Sequence, residues 1–231
     1  MRAVRALREQ RLSPREIARA LGVRPAVVAP LVRAIAAERA ASAQEAPLAG
    51  CWVTPGWSEG LGVDGHPEWP RGTAAHDGAS GLVGVVVARE HRNRNLSACG
   101  YLVDGWCLGV KNALGPEVGD RYRLRRLLVP FSLAFGSTLL EAPIDLAQQL
   151  VLGAVEYARG LGLEPHPDFE PARGHLGRWE GASAIRFGRA GQPFFVQGPD
   201  DDPARVLSAL ERSVGRDNYG FIASAGPPLA A

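Results

Sequence analysis

The sequence predicts an α+β protein: a small all-helical N-terminal domain followed by a mixed α+β domain. Three observations predict it. Within the first 40 residues, apolar side chains recur at helical spacing between proline and glycine punctuation. Two apolar runs, GLVGVVVARE (81–90) and LSACGYLV (96–103), flank the polar turn HRNRN and read as antiparallel strands. The stretch EAPIDLAQQLVLGAVEYARGLG (141–162) starts at a proline, stops at glycines and carries a continuous helical stripe.

The chain has 231 residues, 46% of them apolar, enough to bury a core. No apolar run is long enough to span a bilayer, and the first residues lack the apolar stretch of a signal peptide. A cytoplasmic protein with no membrane association is the expectation. Cys51, Cys99 and Cys107 are odd in number and form no CxxC pair, which argues against a disulfide framework and against a structural zinc site. No metal and no cofactor are expected. Net charge is +2, but residues 1–40 hold nine arginines against three glutamates, a surplus of six that leaves the rest of the chain at −4. Such asymmetry points the N-terminal piece toward a polyanion.

The expected organisation is a helical domain over 1–40, a linker with a Trp-rich irregular segment over 41–80, an α+β domain over 81–224, and a disordered tail over 225–231. In the first of these, Ser13 and Glu16 form a capping box with Pro14 at the first helical position. Ile17, Ala18 and Leu21 supply the buried face of a short helix. Gly22 turns the chain, Pro25 opens the next helix, and Val28, Val32 and Ile35 recur along it.

This pattern resembles the helix-turn-helix motif of bacterial DNA-binding proteins. Ala18, Gly22, Val23, Val28 and Val32 fall where that family wants a small residue, a turn glycine and core aliphatics, and the resemblance covers about the first 40 residues. It implies a second helix lying in the major groove. Arg15, Arg19, Arg24 and Arg33 are the expected DNA contacts. Ala26, Val27, Ala29 and Pro30 offer no hydrogen bond to a base edge, so phosphate contact dominates the expectation. Pro30 is expected to kink the helix. The same motif also serves as a docking surface for a protein partner or a second copy.

Trp52, Trp57 and Trp69 in the Gly- and Pro-rich stretch after residue 50 either stack on bases or plug the edge of a core, and the core is the preferred reading. His66 and His76, without regular spacing, read as surface residues. After the second strand, DGWCLGVKNALGP allows a hairpin turn at Asp104–Gly105, but a helix over 105–114 capped by Asp104 explains more of its apolar residues. Asp104 is also a candidate catalytic acid, since a carboxylate at the end of a buried strand is a common place for one. Residues 120–135 read as a helix interrupted near Pro130. EPHPDFEPARGH (164–175) clusters His166, Asp168 and His175, and reads as a loop with Asp168 capping a short helix through Ala172 and Leu176. SAIRFG and PFFVQG read as two short strands around the turn RAGQ. Asp202 caps a final helix with Pro203 first inside and Gly215 as its stop, and Asp200 and Asp201 complement its positive terminus or bind a cation.

The chain carries no phosphate loop, nucleophile elbow or dinucleotide fingerprint. VVVARE, GYLVD and VEYARGLGLEPHPDF are similar to an uncharacterised bacterial domain, a resemblance that implies no activity. The leading expectation is therefore a cytoplasmic, DNA-binding, regulatory protein whose second domain senses a ligand or mediates assembly. The alternative is a metal-dependent hydrolase or nuclease acting through Asp104, Glu156, His166 and Asp168, and the third reading is a protein-binding adaptor.

Overall fold

A five-stranded antiparallel sheet organises the chain, with helices on both of its faces. The computed structural model describes residues 3–4, 7, 12–33, 35, 46–73, 81–91, 95–179 and 183–223. Residues 41–45 of the expected linker, His76 and the expected tail lie outside the described residues.

The sheet is built on β3 (Leu82–Glu90) and β4 (Leu96–Asp104), the two strands expected from their apolar runs. They pair antiparallel in continuous register from Leu82↔Asp104 to Glu90↔Leu96. β5 (Gly109–Gly119) extends the meander beyond β4. On the other side β1 (Leu48–Val53) pairs with β3, and the short β6 (Leu140–Glu141) closes the far edge. The spatial order is β5-β4-β3-β1-β6.

Val85, Val86 and Val87 are all fully buried because both sheet faces are covered, and this is why β3 reads as a continuous apolar run rather than an alternation. Val85 and Val87 pack with Cys99, Tyr101 and Val103 beneath the long helix α4 (Ile144–Gly160), which contributes Leu146, Leu150, Val151, Ala154 and Val155. Val86, Ala88 and Ala98 face the opposite way, onto Leu127 and Phe131 of α3 (Arg121–Ala134). Gly84 and Gly100 make that second layer possible. A β-carbon at either would come within 2.7 Å of the Phe131 ring, so the absence of a side chain lets the aromatic ring lie on the sheet.

Several expectations are corrected. The helix over 105–114 does not form: residues 105–108 are a turn and β5 begins at Gly109. The Asp104 carboxylate ties the turn closed, Gly109 takes φ +69°, and Asp104 pairs with Gly109 across the hairpin. The hairpin turn at Asp104–Gly105 is the nearer of the two expectations, though the loop has four residues rather than two. Stretch 41–80 is more than a linker, because Leu48–Val53 enters the sheet with Cys51 and Val53 buried. Trp57 and Trp69 do plug the core, 1% and 2% exposed and edge to face at 5.9 Å. SAIRFG and PFFVQG do not pair as strands with each other: β7 (Ile185–Arg186) pairs with β2 (Gly62–Val63), and β8 (Phe194–Val196) pairs in parallel with β9 (Gly220–Ile222). Their apolar residues explain the split. Ile185 and Phe187 belong to the main core, whereas Phe195 packs with Cys107, Leu161, Val206 and Leu210 in a smaller one under α6 (Pro203–Ser213). Helix α3 runs through Pro130 without interruption.

At the N-terminal end, helix α1 (Pro14–Ala20) and a second helix over residues 25–33, α2, close a small cluster of Val4, Ile17, Ala18, Val28 and Ile35. Among the described residues no helix is long and apolar enough to cross a membrane.

Candidate functional site

The capping box forms as expected. Ser13 Oγ accepts from the Glu16 N–H at 3.3 Å, and Glu16 Oε2 accepts from the Ser13 N–H at 2.7 Å, holding the first turn of α1. After Leu21, Gly22 takes φ +64°, a left-handed conformation that reverses the chain toward α2. Residues 25–33 are helical through Pro30. Ile17, Ala18 and Val28 turn inward, but Leu21, expected on the buried face, is 36% exposed because the chain turns away at Gly22. Arg15, Arg19, Arg24 and Arg33 are all exposed, and none has an ion-pair partner among the described residues. Glu16 is tied back to Ser13, whose hydrogen bonds, with a smaller contribution from Arg19, hold the Glu16 carboxyl below the ordinary range. Ala26, Val27 and Pro30 are exposed as well, so the outward face combines guanidinium groups with short apolar side chains.

Asp104 occupies the position expected of it at the end of β4 and is 2% exposed. Its Oδ1 accepts from the N–H groups of Trp106 at 2.8 Å and Cys107 at 3.0 Å. Burial pushes its carboxyl up to about 6, against the opposing pull of the backbone donors of Trp106, Cys107 and Leu108. The carboxylate thus works as a turn clamp in the protein interior.

The other three members of the expected catalytic set lie at the surface. Glu156, His166 and Asp168 are exposed. His166 Nδ1 stands 3.6 Å from Asp168 Oδ2 and accepts from the Asp168 N–H at 3.3 Å. No three of Asp104, Glu156, His166 and Asp168 offer ligating atoms within 4.8 Å of one another. Asp168 does not cap the following helix α5 (Phe169–Ala172): its own backbone is already helical, at φ −69° and ψ −10°, and its side chain makes no cap bond. His175, expected near a helix end, is instead fully buried in the 3-10 turn Arg173–Leu176.

Two groupings have no local signal in the sequence. In the first, His175 Nε2 lies 2.9 Å from Ser97 Oγ, which lies 2.7 Å from His91 Nε2. Two proton assignments satisfy both contacts: His175 donates to Ser97 and Ser97 to His91, or His91 donates to Ser97 and Ser97 to His175. His175 Nδ1 has no partner among the described residues. Burial, with Arg89 and His91 nearby, pushes the His175 imidazole down to about 4. Arg89, 8% exposed, donates from Nε to the His175 carbonyl at 2.8 Å and from Nη1 to the Ala46 carbonyl at 2.7 Å, stapling β3 to two other segments.

In the second grouping His66, Glu68 and Asp145 converge. One ligating atom of each lies within 4.8 Å of the others. His66 Nδ1 and Glu68 Oε1 are 2.8 Å apart, the imidazole stacks on Trp69 at 3.9 Å, and Trp69 Nε1 donates to Asp145 Oδ2 at 3.0 Å. Sequence reasoning missed this set because His66 and Asp145 are far apart in the chain. The available signal was Trp69, an indole whose N–H needed a partner once its ring was buried.

No family model, no curated protein and no solved structure matches the chain. Four groups of the molecule bear on function. They are an exposed guanidinium array on paired helices, a buried turn clamp, a buried Ser–His contact and one set of cation-type ligands.

Proposed function

We propose that the protein is a cytoplasmic DNA-binding regulatory protein, that residues 1–40 form a helix-turn-helix domain contacting DNA, and that the following α+β domain mediates assembly. One observation carries the DNA reading: Arg15, Arg19, Arg24 and Arg33 stand exposed, without ion-pair partners among the described residues, over a closed apolar cluster, beside a net surplus of six positive charges in the first 40 residues. Phosphate oxygens are the natural partners of such an array. The outward Ala26, Val27 and Pro30 add no base-edge donors, so recognition is mainly electrostatic.

An open apolar groove of about 200 Å³ between β5 and α3 supports the assembly role. Leu102, Pro130, Phe131 and Phe135 line it together with Leu114, which is 46% exposed. A second copy is the partner that fits the DNA reading best, since a symmetric dimer presents two recognition helices to two half-sites. The hydrolase alternative loses Asp104 to the turn clamp and retains only a surface His–Asp contact.

A gel-shift titration of the intact protein on duplex DNA at two salt concentrations tests the proposal. Binding that weakens steeply with salt supports it. Absence of binding at low salt overturns it in favour of a docking role for the N-terminal helices.

A further inference from the structure

We propose that His66, Glu68 and Asp145 form a binding site for a divalent cation of the zinc class, with the remaining coordination left to water. The site is independent of the DNA-binding reading and lies on a different part of the chain.

The donor set is the first observation. One imidazole and two carboxylates present ligating atoms within 4.8 Å of one another, and it is the one group of three such residues this close among the described residues. Tetrahedral zinc–nitrogen and zinc–oxygen bonds place ligand atoms about 3.4 Å apart, so the longest separation must close by no more than about 1.4 Å. The 2.8 Å contact between His66 Nδ1 and Glu68 Oε1 is a hydrogen bond in the metal-free chain, and an ion would take the place of its proton as the pair opens to about 3.4 Å. Glu68 is the most exposed of the three, with a side chain 56% accessible, and has the freedom to complete the closure.

Preorganisation is the second. The His66 ring stacks on Trp69 with only 7° between planes, which fixes its orientation. Trp69 Nε1 holds Asp145 Oδ2 at 3.0 Å and leaves the other carboxylate oxygen uncommitted. Trp69 is itself anchored, being 2% exposed and packed edge to face on Trp57, whose Nε1 donates to the Pro70 carbonyl at 2.7 Å. A supporting layer that holds ligands through hydrogen bonds and stacking is what tight metal sites require.

Charge is the third. No lysine or arginine among the described residues forms an ion pair with Glu68 or Asp145. Asp145 alone is explained by its place in the first turn of α4, where a carboxylate complements the helix terminus. That explanation does not account for His66 and Glu68 meeting it there. The partial exposure of His66 and Glu68 leaves the set open to solvent, and three protein ligands with an open side match the architecture in which zinc retains a water. The imidazole favours zinc-class ions over magnesium, which prefers an all-oxygen shell.

The test is isothermal titration of the chelator-treated full chain with zinc chloride, and separately with magnesium chloride. The expected result is one zinc per chain, with magnesium binding at least tenfold more weakly. His66→Phe keeps the ring stacked on Trp69 while removing the ligand. Asp145→Asn keeps an oxygen for the Trp69 N–H while removing the charge. Each should weaken zinc binding at least tenfold, with metal-free circular dichroism unchanged. Glu68→Gln, on the most exposed residue, is the check if either variant perturbs the fold, and it should weaken zinc by a similar factor. Saturable binding unaffected by the substitutions, equal affinity for magnesium, or no saturation up to millimolar zinc would overturn the assignment.

Discussion

Lys111 Nζ lies 2.6 Å from Asp201 Oδ2, joining β5 to the segment that leads into α6 across 90 residues of chain. Both side chains are largely buried, at 15% and 12% accessible, and Asp201 Oδ2 also accepts from the Gly198 N–H at 2.6 Å. Lys111 is the sole lysine of the protein. Removing one partner leaves the other poorly solvated, so Lys111→Met and Asp201→Ala should each cost about 2 kcal/mol. A double-mutant cycle by urea denaturation should return a coupling of about 1 kcal/mol or more, and strict additivity would show that the contact carries no net stability.

Two buried groups should bend the pH dependence of stability in opposite directions. The His175 imidazole is held near 4 against an ordinary 6.5, so the unfolded chain takes up its proton first. Its contribution is fully present above pH 6.5 and is lost as pH falls toward 4, by roughly 3 kcal/mol. The Asp104 carboxyl is raised to about 6 from 3.8, so the folded chain protonates first. That contribution is present below pH 3.8 and lost as pH rises through 6, by a similar roughly 3 kcal/mol. Asp104→Asn keeps an oxygen for Trp106 and Cys107, and should steepen the loss of stability between pH 6.5 and 4. His175→Gln should reverse the slope. Urea midpoints at pH 7 and pH 4.5 read both effects, and parallel profiles for wild type and variants would refute them.

The caps provide a calibrated set. Asp120 accepts from the Arg123 N–H at 2.9 Å and Asp202 from the Arg205 N–H at 3.1 Å. Their alanine variants should each cost about 1 kcal/mol. Asp168 makes no such bond, so Asp168→Ala should stay within about 0.5 kcal/mol of wild type. Thermal melts of the three variants side by side decide it, and a cost at Asp168 equal to the other two would mean that it caps α5 in solution.

For DNA, Arg24→Ala and Arg33→Ala should weaken binding on all sequences alike and reduce the slope of log affinity against log salt by about one per lost contact. Competition gel shifts with two unrelated duplexes provide the measurement. A loss confined to one duplex would place base recognition on these arginines and contradict the phosphate reading.

The apolar groove leads to a prediction about assembly. Leu114, 46% exposed in its lining, should be buried in a self-associated form. Leu114→Glu should shift the mass measured by size-exclusion chromatography with light scattering toward the monomer, leaving the circular dichroism spectrum intact. A wild-type protein that is monomeric at micromolar concentration would remove the second copy as occupant.

Sequence alone determined the elements whose signals are local. Ser13, Pro14 and Glu16 start α1, Pro143 and the stripe from Leu146 to Ala158 define α4, and Asp202 with Pro203 starts α6. Each depends on backbone donors and side chains within a turn or two, so the information lies inside one window. The apolar runs of β3 and β4 are legible for the same reason, and so is the exposed arginine face of the first helices. Tertiary structure alone decided the rest. Residues 109–114 have apolar spacing that suits a helix, yet they become strand because the edge of β4 offers a ladder of hydrogen bonds and Asp104 closes the turn. His175 reads as a residue near a short helix's end, yet it is buried because Arg89 and Ser97 on neighbouring strands hold the 3-10 turn against the sheet. His66 and Asp145 meet only because Trp57 and Trp69 fold the loop after β1 onto the start of α4. Such meetings depend on which faces the sheet presents and which segments cover them, and no short stretch of chain encodes that choice.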